Sequence, residues 1–108
     1  MKRKELYEIL TKTEFPVAYE SFEDELPEPP YLVFVRTLTE SFCADDCEWY
    51  RTNHYQIELY SAYKNDEAER KVERILNQNG IICDVVDEGF IKSEGLYYVF
   101  YECSLGGE

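Results

Sequence analysis

Cys43 and Cys47 are spaced C-x3-C with Asp45 and Asp46 between them, and the single histidine, His54, follows. This is the densest group of metal-ligating residue types in the chain. Structural zinc takes four Cys or His ligands, usually as two close pairs. Here the second close pair is missing, so a site would need Cys83, Cys103 or His54 carried to the first pair by folding. The simpler expectation is that Cys43 and Cys47 lie on a hairpin tip or pack locally and bind no metal. Cys83 and Cys103 stand in hydrophobic, strand-like surroundings and are expected to act as small apolar core groups.

Covalent catalysis is also poorly supplied. It needs a nucleophile, an adjacent base and a group that orients the base. One histidine offers one base, and His54 lies within a tyrosine-rich strand pattern. The chain has 23 acidic residues, so carboxylate pairs are abundant and for that reason uninformative. A glycosidase needs two acids held across a sugar cleft, which a chain this short has little room to build. Neither a GxxxxGK[ST] loop nor a GxGxxG turn is present. The expectation is a protein without catalytic residues, cofactor or metal.

The composition narrows the partners. In 108 residues there are 23 acidic and 11 basic side chains, a formal charge of −12. Proteins that grip nucleic acid neutralise phosphates with Lys and Arg, so tight nucleic-acid binding is not expected. Anionic membrane surfaces are disfavoured on the same ground. The start, MKRKELYEIL, has no apolar run of the signal-peptide kind, and no later stretch reaches membrane-helix length. A cytosolic protein with reduced cysteines is expected. Aromatic residues make up 16%, with ten tyrosines. Tyrosine joins an apolar body to a polar tip and suits surfaces that become covered by protein.

The elements that would position these groups follow from periodicity. Leu6, Ile9 and Leu10 mark a short helix over 3–12. Residues 15–22 read as a short extended strand. The segment EDELPEPP, residues 23–30, is an acidic, proline-rich connector. YLVFVRT, residues 31–37, is apolar on both faces and reads as a central strand. Residues 38–48 are turn-like, with the reversal at Ala44-Asp45-Asp46 and Phe42 pairing with Trp49. A strand from about Trp49 to Tyr63 runs back, too long to be uninterrupted, so a bulge near Thr52–Asn53 or a projecting hairpin over 38–52 is expected.

A helix then starts at Asn65 or Asp66, buries Ala68, Val72, Ile75 and Leu76, carries Lys71 and Arg74 toward its far end and stops at Asn79-Gly80. Residues 81–87 and 96–103 are strands joined through a turn at Ser93-Glu94-Gly95. The order α-β-β-β-α-β-β predicts one α+β domain over 1–108, with two helices on a largely antiparallel, curved sheet.

The strand over 54–63 places Tyr55, Ile57 and Leu59 on one face and ends in Tyr60 and Tyr63, so aromatic groups fall on both faces. A subunit interface over Phe42, Trp49, Tyr50, Tyr55, Tyr60 and Tyr63 is the resulting expectation. An acidic surface is expected over Glu20, Glu23, Asp24, Glu25 and Glu28, with Asp45 and Asp46 at the hairpin.

Taken in order, FPVAYESF (15–22), PPYLVF (29–34), NHYQIELYS (53–61), NQNGI (77–81) and SEGLYYVFYE (93–102) resemble a small prophage-encoded family of Gram-positive bacteria. Its members are described as minor capsid, tail-completion, tail-terminator or head–tail joining proteins. The resemblance runs from about residue 4 to 104 and rests on strand and turn signatures, with no reactive constellation. It implies a virion protein at the neck or tail end of a tailed phage, made in the bacterial cytoplasm and then built into the particle. It also implies self-association, commonly as a hexameric ring, and contact with other neck or tail proteins. The Cys43/Cys47 pair departs from the polar hairpin such a protein would be expected to carry. An acidic lumen, lined by residues 20–28 or by the hairpin tip, would let DNA pass without binding. The alternative is an acidic cytosolic binding protein, a DNA mimic or an inhibitor of a basic partner.

Overall fold

Burial alternates residue by residue along the third strand. Asn53, Tyr55, Ile57, Leu59 and Ser61 are buried, while Thr52, His54, Gln56, Glu58 and Tyr60 are half-buried. A period of two assigns these sets to opposite faces of a sheet, and the rest of the architecture is built around that division. The computed structural model describes residues 3–43 and 49–106, with backbone only at 40–43, 49–51 and 106.

The elements are α1 (Arg3–Thr11), β1 (Val17–Tyr19), β2 (Tyr31–Cys43), β3 (Trp49–Ser61), α2 (Asp66–Gln78), β4 (Cys83–Ile91) and β5 (Leu96–Gly106). They form one five-stranded open sheet in the order β1-β2-β3-β5-β4. The β1–β2 pair is parallel and the other pairs are antiparallel. The fold is α+β, as the order of elements predicts. β3 is the middle strand, paired with β2 on one side and, over Thr52–Ser61, with β5 on the other.

Both helices cover one face. Leu6, Ile9 and Leu10 of α1 and Ala68, Val72 and Leu76 of α2 join Leu32, Phe34, Tyr55, Ile57, Leu59, Val99 and Tyr101 of the sheet in one apolar cluster. Phe34 is the hub. Its ring lies 5.1 Å from Tyr19 of β1, 6.3 Å from Tyr7 of α1 and 6.2 Å from Tyr55 of β3. Tyr101 is also buried here, and its hydroxyl donates to Glu73 of α2 at 3.0 Å.

Local chemistry fixes the helix ends. Asn65 caps α2, its Oδ1 accepting from the Ala68 amide at 3.1 Å. Three acids follow in the first turn, where the helix dipole favours them. Gly80 takes the left-handed conformation (φ 76°) that ends the helix. At the end of α1, Thr13 Oγ1 donates to the Leu10 carbonyl and accepts from the Phe15 amide, which closes the turn inside the core. Lys71 is in mid-helix rather than in the last turn, which carries no basic residue, and its ammonium pairs with Glu14 at 3.2 Å. It therefore ties α2 to the segment after α1.

β2 and β3 are each 13 residues long and stay paired to Cys43↔Trp49. At about 3.3 Å per residue such a hairpin is roughly 43 Å long, and the molecule measures 52 × 26 × 24 Å. Residues 38–43, read from sequence as turn, are strand. The expected irregularity is present on the other strand: the register shifts between Arg36 and Leu38 of β2, opposite Tyr55 and His54. Phe42 stands opposite Tyr50, and Trp49 opposite Cys43, so Phe42 and Trp49 are not direct partners. The expected reversal at Ala44-Asp45-Asp46 lies outside the described residues.

Candidate interaction surface

The face away from the helices carries a different set of residues. Four aromatic contacts run across it. Phe22 packs edge-on against Tyr31 at 5.5 Å, and Tyr31 stacks on Tyr60 at 5.3 Å. Tyr60 meets Phe100 at 6.2 Å, and Phe100 meets Tyr98 at 4.6 Å. The row thus passes from the connector through β2, β3 and β5. It ends over Gly89 of β4, where an added Cβ would come within 3.0 Å of the Tyr98 hydroxyl. The absence of a side chain at Gly89 lets that ring lie flat on the edge strand.

Carboxylates are interleaved with this row. Glu58 accepts from Tyr60 Oη at 2.8 Å through one oxygen and from Gln56 Nε2 at 2.8 Å through the other. Burial, and then the Glu58 hydrogen bond, hold the Tyr60 hydroxyl well above the ordinary tyrosine range. Tyr31 is raised by burial and then by Glu94. Both phenols therefore stay protonated near neutrality, and the field around them is negative.

Where the connector crosses this face it leaves a cleft of about 270 Å³. Its apolar walls are Phe22, Leu26, Tyr31, Val33, Tyr60 and Ile91, and its carboxylates are Glu20, Asp24, Glu58 and Glu94. Glu20 has φ 68°, so the chain turns sharply as it leaves β1 and begins to cross the face. The amide of Glu20 still bonds to the Phe34 carbonyl at 2.9 Å, which anchors that turn to β2.

A second surface lies along β4, one edge of the sheet. Ile82 is 80% exposed, Val86 53%, Phe90 53% and Val85 46%. Asp84, Asp87 and Glu88 are interspersed among them. The register shifts between Val85 and Asp87, a bulge of the kind that limits uncontrolled pairing at an edge. Lys64 ties this edge to the start of α2 by pairing with Glu69 at 2.8 Å and Glu88 at 3.1 Å.

The expected interface residues separate in this structure. Tyr55 is 2% exposed inside the domain core, among the helix-facing residues, and is unavailable to a second chain. That part of the expectation is corrected: period-two alternation turns Tyr55 toward the helices and Tyr60 away from them. Tyr60 is half-buried in the open-face row, and Tyr63 is 64% exposed in the loop before α2. Phe42, Trp49 and Tyr50 are placed by their backbone in the distal hairpin. The β4 edge was missed, although IICDVV and GFI offered the signal of apolar residues on both faces of a strand beside a turn.

Of the expected acidic surface, Glu20, Glu23, Asp24, Glu25 and Glu28 are exposed. Asp45 and Asp46 lie outside the described residues, as does Cys47. Cys83 and Cys103 are direct cross-strand partners on the helix side of the sheet. Burial pushes the Cys83 thiol up to about 11 and the Cys103 thiol up to about 12, as expected of apolar core groups. His54 is on the opposite face, with Nδ1 2.9 Å from Ser104 Oγ. The sheet therefore separates the histidine from these two thiols. Among the described residues no helix is long and apolar enough to cross a membrane.

No protein-family model matches the chain, and no curated protein matches it either.

Proposed function

We propose that this chain is a structural subunit of a tailed-phage virion, placed at the neck or tail end, where copies close into a ring that joins or terminates the tail tube. The observation that carries this reading is the β4 edge. Four of the large exposed apolar side chains fall within residues 82–90: Val85, Val86 and Phe90 on the nine-residue edge strand and Ile82 just before it. Clustered apolar exposure marks a surface that meets protein, and an edge strand can extend a sheet into a neighbour. A contact between unlike surfaces of identical subunits closes into a ring when its rotation permits. The long β2–β3 hairpin, at the other side of β5 from β4, offers such an unlike surface. The acids of the connector, repeated around a ring, would repel DNA in its lumen. In this role the chain performs no reaction.

A binding protein for a basic partner is the second reading, and it has its own observation in the acid-rimmed cleft of the open face. Sedimentation velocity over a wide concentration range, with and without isolated tail tubes, separates the two. A closed oligomer, alone or on the tube end, supports the first. A chain that stays monomeric with tubes present, yet forms a tight one-to-one complex with a basic protein, overturns it.

A further inference from the structure

We infer that the cleft between the connector and the open sheet face is a receptor for a single arginine side chain presented by a partner protein. The inference stands under either reading of the function.

The size of the cleft points to a side chain. At about 270 Å³ it falls just below the range of pockets that enclose metabolites. Its chemistry points to a cation. Phe22, Tyr31 and Tyr60 supply aromatic walls, and Glu20, Asp24, Glu58 and Glu94 supply carboxylates, with no Lys or Arg in the lining among the described residues. Rings attract a cation over their faces, and desolvation strengthens the attraction.

The arrangement favours guanidinium over ammonium. Tyr31 and Tyr60 stack on each other, with 27° between their planes, and Tyr31 is 4% exposed, so the half-buried Tyr60 and Phe22 are the rings a cation in the cleft can reach. Glu58 is held in place by bonds to both of its oxygens, from Tyr60 and Gln56. A carboxylate has about four lone-pair sites, so two donors leave room for a guanidinium fork. Arginine stacks on rings and forks onto carboxylates, and lysine does neither as well. The chain's charge of −12 draws a basic segment toward this face from a distance.

The test uses the full chain and three short probes: an acetyl-Gly-Arg-Gly amide, its lysine counterpart and its citrulline counterpart. Amide NMR follows the titration. The expected result is saturable shifts at residues 20–26, 31–33, 58–60 and 94 with the arginine probe, several-fold weaker binding of lysine and none by citrulline. Glu58→Gln should weaken the arginine probe about tenfold, the worth of one charge-assisted hydrogen bond. Glu94→Gln, on an exposed turn, should also weaken it and guards against a folding defect in the first variant. Equal binding of citrulline, shifts spread over all acidic surfaces alike for lysine and arginine, or no saturable shift by about 10 mM would each overturn the inference.

Discussion

Replacing Ile82 and Val86 with serine should weaken self-association without unfolding the domain. Serine is the informative choice because lysine would also relieve repulsion between chains that each carry −12. The two effects of lysine oppose each other, and the outcome could not be assigned. Full burial of a Val or Ile side chain is worth about 1.5–3 kcal/mol. Ile82 has four-fifths of its surface still to bury and Val86 about half. An interface covering both would therefore gain about 2–4 kcal/mol from them, a factor of roughly 30–700 in each contact's dissociation constant. The folded monomer has little to lose, since surface substitutions stay within about 0.5 kcal/mol. Sedimentation velocity reads the first quantity and thermal unfolding by circular dichroism the second. A double variant that unfolds as the parent does and associates within about threefold of it would refute the claim that this edge is covered by protein.

Three further outcomes test the framework behind that surface. Asn65→Ala should cost about 1 kcal/mol, as loss of a cap does, and lower the melting temperature by about 4 °C, whereas Asn65→Asp should retain most of it. Phe34→Ala should cost about 3–5 kcal/mol in urea unfolding, because it empties the point where α1, β1 and β3 meet. Stability should fall above about pH 9. The Cys83 and Cys103 thiols, ordinarily near 9.0, are raised to about 11 and about 12 in the fold, so above pH 9 the unfolded chain loses protons that the folded one keeps. The raised tyrosines, Tyr60 and Tyr101 foremost, add to the same loss from about pH 10 upward. A urea midpoint that rises between pH 9 and 11 would contradict this assignment.

The sequence disclosed elements better than it disclosed partners within the sheet. The α2 pattern was legible because cap, periodic apolar face and Gly80 all agree within one local stretch. The parallel pairing of β1 with β2 was not legible, since it depends on how eleven irregular residues cross the open face. The bulge fell in β2 at Thr37 rather than near Thr52–Asn53, because either strand of a hairpin can absorb the same irregularity. Residues 38–43 have turn-like polarity yet are strand, because the pairing with β3 outweighs local preference.

The candidate surface divided along the same line. That the middle strand carries aromatic groups on both faces could be read directly. That Tyr55 belongs to the core and Tyr60 to the row with Tyr31 and Phe100 needed the helices placed. The cleft joins residues from positions 20 to 94, and no local pattern links them.

In the proposed ring the β4 edge is covered by another copy of this chain. Hydrogen exchange of the backbone amides over Cys83–Ile91, compared between dilute and concentrated protein, tests it most directly. The outward-facing amides of this strand should exchange markedly more slowly once the protein associates, while those of α1 are unchanged. Association that leaves β4 exchange untouched and instead protects a different surface would contradict it.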